Sequence, residues 1–393
     1  MADKTALQES SQALFCSIAD QLGTIESNKV LDIKKFNTYE DFKLKYNKII
    51  SSAHSRISTP AVSLKEIDDF LSKNKPWYIS SVNIAVALVN QISFIDNDFK
   101  IKAPGYQNIF YFRGDSEIMG TISSIFKIAN KAPITIKNQL KFGDINKWNP
   151  ADIYFASDKA KSELKKELNK AESNQSSYNF INLNSITNSL IDSGDLLPLS
   201  LKLAPGTVKI ERINFDKKKE LEAIEDIKIV SVNDWKPYKI VKYPAKGETR
   251  DITVNLSNGG KIKMRHDPST PSYKIEAVID KASRGGSIGS MKMFCELMSF
   301  VDKSTSEKLL KAFNIAEQEF KKEIIILKNK KYEYDIFDYK RAQLSAMTIT
   351  NAVNPILKNW YNQKNEKTTQ FCKLVYLYTT ARTQLSGKFV LAK

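Results

Sequence analysis

Apolar residues recur at helical spacing through the first third of the chain and change period after it. Segments 5–22, 63–72, 81–94 and 115–129 each place apolar side chains three and four positions apart, which predicts helices. Pro76 and Pro104-Gly105 punctuate them, and Ser63-Leu64-Lys65-Glu66 has the spacing of a capping box at a helix start. Residues 1–140 therefore read as a largely helical region.

From 141 to 214 the pattern mixes. Asp152-Ile153-Tyr154-Phe155-Ala156 is a short β-prone run, followed by a charged helical stretch over 158–171. Asn182 to Ser193 predicts a second helix, stopped by Gly194. Leu196 to Leu203 is an apolar run of strand length, and Thr207 to Ile213 alternates. Strand, helices, strand, strand is the order of a mixed α/β core.

Residues 226–281 are β-rich. Ile252–Leu256 and Lys261–Met264 flank Asn258-Gly259-Gly260, a strong hairpin signal. Tyr273 to Ile279 is a further strand. Arg284-Gly285-Gly286-Ser287-Ile288-Gly289 then reads as a turn opening an apolar helix from Met291 to Val301. From Ser304 onward the chain reads as helices. Ser304 and Glu307 have capping-box spacing, and Pro355 interrupts a later helical segment. The expected organisation is a helical N-terminal region (1–140), an α/β core with a β-rich extension (141–300) and a basic helical C-terminal region (301–393).

Composition narrows the chemistry. A net charge of +16 draws polyanions, meaning nucleic acid or an acidic membrane surface, and half of that excess falls in residues 301–393. There Lys321-Lys322, Lys328, Lys330-Lys331 and Lys340-Arg341 alternate with Tyr332, Tyr334 and Tyr339. That mixture suits phosphate neutralisation, and equally a solvated helical face over an aromatic core.

Cys16, Cys295 and Cys372 form no Cys-x-x-Cys pair, and only His54 and His266 are present. A disulfide scaffold, a thiolate zinc site and a multi-histidine centre are excluded. Any metal is held by oxygen, which favours Mg2+ or Mn2+. No apolar run approaches the ~18–20 residues that span a bilayer, and the N-terminal stretch is no signal peptide. The expected partner is DNA rather than a membrane, and the expected location is the host-cell cytoplasm or a virion.

The chemistry concentrates in one stretch. Lys147-Trp148-Asn149-Pro150-Ala151-Asp152 leads into the first strand, and Ser200-Leu201-Lys202 ends the second. A carboxylate and a lysine projected from adjacent strands can meet one phosphate. The carboxylate binds a cation, and the lysine steadies the attacking hydroxide or the developing charge. Over roughly 75 residues this resembles the PD-(D/E)XK, or restriction-endonuclease-like, superfamily. Pro150-Ala151-Asp152 resembles its Pro-Asp element with one residue inserted, and Ser200-Leu201-Lys202 its (D/E)-x-K element. Similar segments occur in proteins of large tailed phages.

The resemblance implies a mixed-sheet nuclease core, with Asp152 as metal ligand and Lys202 as catalytic lysine. Ser200 stands where the family carries an acid, so one metal ligand is missing. Glu117 before the motif, or Glu163 or Glu167 after it, can complete the site. Asp144 lies close enough in sequence to share the metal, or is a turn carboxylate after Gly143. DNA-backbone contacts fall to Lys147 and to Lys281, Arg284 and Lys292 around the glycine-rich segment, which lacks a P-loop ending. Trp148 reads as core. Two functions follow: a metal-dependent DNA nuclease, or a non-catalytic virion or DNA-packaging protein that retains a nuclease-like core.

Overall fold

Helices begin where the sequence supplies caps, and the strands are short apolar runs between them. The computed structural model describes residues 3–25, 29–59, 62–94, 110–114, 117–233, 252–267, 272–278, 284–288, 291–330, 336 and 352–393. In chain order the first elements are α1 (Lys4–Ile25), α2 (Lys29–Asp32), α3 (Tyr39–His54), β1 (Ile57–Ser58), α4 (Leu64–Lys73), α5 (Lys75–Phe94), β2 (Phe110–Arg113) and α6 (Glu117–Ala129). Next come α7 (Ile145–Trp148), β3 (Ile153–Ala156), α8 (Asp158–Ser173), α9 (Phe180–Asp192), β4 (Leu196–Leu201) and β5 (Ile210–Ile213). Then follow α10 (Lys217–Glu225), β6 (Ile229–Val232), β7 (Ile252–Leu256), β8 (Lys261–Asp267), β9 (Ser272–Val278) and β10 (Arg284–Ile288). The chain continues through α11 (Met291–Ser299), α12 (Lys303–Asn329), α13 (Asn354–Asn362), α14 (Glu366–Thr379) and β11 (Phe389–Ala392).

Ser63 and Glu66 form the expected capping box at α4. At α12 the cap is Asp302, which accepts from the Thr305 N–H at 2.9 Å, rather than Ser304. The helix starts earlier than that spacing suggests, and a carboxylate takes one of its orphan amides. Pro355 sits in the first turn of α13, where its missing N–H costs nothing.

The fold is mixed α/β, and the chain divides into two compact units. One comprises residues 1–135, 141–216 and 385–393, the other 136–140 and 217–384.

The first unit is built on a six-stranded mixed sheet in the order β1-β2-β3-β4-β11-β5. β2, β3 and β4 run antiparallel in succession, and β11 lies parallel to β4 and antiparallel to β5. Helices α6, α8 and α9 pack on β2, β3 and β4, while α1 lies against β2 and α5 against β5. β11 is a wholly buried run, Phe389-Val390-Leu391-Ala392, delivered by a web of side-chain amides. Asn149 donates to the Lys388 carbonyl, Asn214 to that of Gly387 and Asn184 to that of Leu385, at 3.0, 2.7 and 2.9 Å. Trp148 is fully buried beneath this approach, its Nε1–H donating to Asn184.

α1 reads as amphipathic in sequence, yet every residue from Ser10 to Ala19 is buried. Some of its polar side chains find partners inside: Gln12 donates to the Ser81 carbonyl at 3.1 Å and Ser17 to that of Ala53 at 3.0 Å. The helix is enclosed by α3, α4, α5 and the sheet, so its small hydroxyl residues act as close-packing positions.

The second unit holds an antiparallel sheet in the order β10-β9-β8-β7-β6. The expected β7–β8 hairpin turns at Gly259, whose φ of +81° glycine adopts without penalty. α14 packs on β8, β9 and β10, and Phe371 meets Phe294 edge-on within the core. Over its described residues the glycine-rich segment expected as a turn is a strand instead. Residues 284–288 are β10, paired with β9 across a register shift.

Candidate active site

Asp152 directly precedes β3, and its backbone N–H extends the ladder by donating to the Leu199 carbonyl of β4 at 2.8 Å. With Ile153 opposite Leu199, the antiparallel register sets Asp152 opposite Ser200. The side chains meet there. Asp152 Oδ2 accepts from the Leu201 N–H at 2.6 Å and from the Ser200 hydroxyl at 3.3 Å. No described residue donates to Oδ1.

Lys202 follows β4 by one residue. Its backbone N–H donates to the Ala392 carbonyl at 2.8 Å, so β11 fixes where it leaves the sheet. Its half-buried side chain forms no hydrogen bond or close ion pair with a described residue, while its charge acts on Asp152. The aspartate, serine and lysine singled out in the sequence therefore lie together at one end of β3 and β4.

Two residues that the sequence reading did not select join them. Glu9 of α1 forms an ion pair with Arg113 Nε at the end of β2, both side chains about one-sixth exposed. Both charges reach Asp152. Burial holds the Glu9 carboxyl up at about 7, repulsion from Asp152 adds to this, and Arg113 opposes it. Burial also raises the Asp152 carboxyl. The Leu201 N–H, Lys202, the Ser200 hydroxyl and Arg113 pull it back. Glu9 carried one signal in the sequence: it is the sole charged residue between Lys4 and Asp20. Arg113 ends the aromatic run Phe110-Tyr-Phe, which a β reading of that segment picks out.

The other candidates lie elsewhere. Glu117, in the first turn of α6, is exposed, with Lys161 at 3.9 Å. Asp144 caps α7 by accepting from the Asn146 N–H at 2.8 Å. Glu163 pairs with Lys166 at 2.7 Å, and Glu167 accepts from the Tyr178 hydroxyl at 2.9 Å. None of these four forms a hydrogen bond or ion pair with Asp152. Lys147 is half-buried in α7, and Lys292 is exposed on α11, 4.0 Å from Glu296. Arg284 is placed by its backbone in β10, and Lys281 lies outside the described residues.

The donor set at Asp152 is all oxygen, which suits magnesium or manganese. A carboxylate held up partly by the charge of another favours a cation between them. Among the described residues no group of three or more His, Cys, Asp or Glu side chains is arranged to hold a metal. A two-carboxylate site leaves the remaining positions to water, as magnesium commonly does. Among the described residues no helix is long and apolar enough to cross a membrane. Family models, curated proteins and solved structures offer no match to this chain.

Proposed function

We propose that this chain is a metal-dependent DNA nuclease of the restriction-endonuclease-like type. One observation carries the reading: Asp152 and Lys202, from neighbouring antiparallel strands, converge beside a second half-buried carboxylate, Glu9. Asp152 and Glu9 would hold Mg2+ or Mn2+, with Oδ1 of Asp152 unengaged by described residues. Once bound, such an ion supplies the charge that polarises a phosphate and lowers the pKa of a water.

The chain's own groups do the rest. Lys202, which no described residue engages by a hydrogen bond or close ion pair, offers its side chain to the negative charge that develops on a phosphodiester during attack. Ser200 cannot replace a metal-binding acid, and it serves instead to orient Asp152 through its hydroxyl. The Leu201 N–H holds the same oxygen, leaving the aspartate a single orientation. The net charge of +16 gathers DNA without regard to sequence.

A second reading, a non-catalytic virion or DNA-packaging protein, draws on those same hydrogen bonds. A carboxylate satisfied by the neighbouring strand can be a structural tie. The deciding experiment is cleavage of linear, nicked and supercoiled DNA with and without Mg2+ or Mn2+. Asp152→Asn and Lys202→Ala should each lower the rate by about 10²–10³-fold, the cost of removing one electrostatic catalytic group. Both should keep the wild-type circular dichroism spectrum. Salt-sensitive DNA binding without metal-dependent turnover would leave the second reading standing.

A further inference from the structure

The guanidinium of Arg113 occupies an unusual position in this site. It is about five-sixths buried, forms an ion pair with Glu9, and lies within electrostatic reach of Asp152. It belongs to β2, the strand beside the one that Asp152 precedes, with Arg113 opposite Ile153 in the register. The charge of Asp152 acts against that of Glu9, and in a partly buried site such repulsion needs a positive charge beside it, which the Arg113 ion pair supplies. Lys202 contributes to Asp152, but only Arg113 contacts Glu9 among the described residues. An arginine keeps its charge at every accessible pH, so this compensation is permanent.

We infer that Arg113 is the resident cation of the two-carboxylate centre and competes with the divalent ion for it. The inference rests on the reading of Asp152 and Glu9 as metal ligands. In the metal-free protein the guanidinium neutralises Glu9 and keeps the two acids together. A divalent ion that uses Glu9 must share or take over that carboxylate, at the expense of the ion pair. Arg113 thereby sets how much metal the site needs before it fills. The site stays unfilled at low cation concentrations.

The test is Mn2+ binding to the full chain without DNA, read from the electron paramagnetic resonance signal of free Mn2+. Arg113→Gln removes the competitor and should tighten Mn2+ binding by about tenfold, a factor equivalent to ~1.4 kcal/mol. Glu9→Gln should weaken binding. Glu9→Gln/Arg113→Gln replaces the pair with two neutral amides, so no buried charge is left alone. It should bind more tightly than Glu9→Gln. Equal or weaker binding in Arg113→Gln than in wild type overturns the inference, as does equal binding in the double and Glu9→Gln variants. Asp152→Asn separates the two levels. If it binds Mn2+ as wild type does, the metal reading of the site is lost; if it loses Mn2+ while Arg113→Gln binds no tighter, only the role of Arg113 is lost.

Discussion

Glu9 and Asp152 show how a helix and a strand end, far apart in sequence, create a charge problem in one place. The carboxyl of Glu9 is held at about 7, above its ordinary 4.5. An acid whose folded value is raised contributes stability below its unfolded pKa and loses it as pH rises through the folded one. Wild type should therefore lose stability between about pH 4.5 and 7 at this position, and Glu9→Gln should not. The Tm of Glu9→Gln minus that of wild type should be more positive at pH 8 than at pH 5, by thermal denaturation without metal. A difference independent of pH removes Glu9 as the titrating group. Ser200→Ala tests the neighbouring contact: it should reduce cleavage less than Asp152→Asn does, because the Leu201 N–H still holds the same oxygen.

At the scale of elements, Gly387 is a close-packed hinge into β11. A methyl group there would meet the Trp148 ring at 3.1 Å and the Asn149 amide nitrogen at 3.2 Å. The Gly387 N–H also donates to the Trp148 carbonyl at 2.8 Å, so the backbone cannot back away without losing that bond. Gly387→Ala should destabilise the protein by about 1–3 kcal/mol, the usual cost of overpacking a full site, read from chemical denaturation.

The same elements mark what the sequence could reveal. β3 and β4 are contiguous apolar runs bounded by Pro, Gly and charged residues, so the strands, and Asp152, Ser200 and Lys202 on them, were legible from local pattern. Glu9 and Arg113 were not, because their relation to Asp152 exists only after α1 and β2 come to lie at the same end of the sheet. β11 was hidden for a different reason. Four apolar residues at the end of a helical stretch carry too little period to separate strand from helix. The segment at Arg284–Gly289 misled because glycines next to an apolar helix suit a phosphate-binding turn as well as a bulged strand.

Across the whole molecule, a net charge of +16 makes a prediction independent of the site. DNA affinity should fall steeply and log-linearly with salt, as counterions released from phosphates are recaptured by the polymer. Fluorescence anisotropy with a labelled duplex between 50 and 300 mM NaCl measures the slope, and a flat profile would end the DNA reading. Asp152→Asn should leave this slope unchanged, since it removes no positive charge.

The position of β11 between β4 and β5 also bears on when the site comes into being during synthesis. Lys202 takes its backbone partner from Ala392, nearly two hundred residues downstream. A nascent chain that has emerged only as far as the second unit carries the aspartate and its partners on β4 but lacks the strand that fixes where Lys202 leaves the sheet. The cutting chemistry proposed here would therefore wait on residues 389–392, which must pair with β4 before the lysine takes its place.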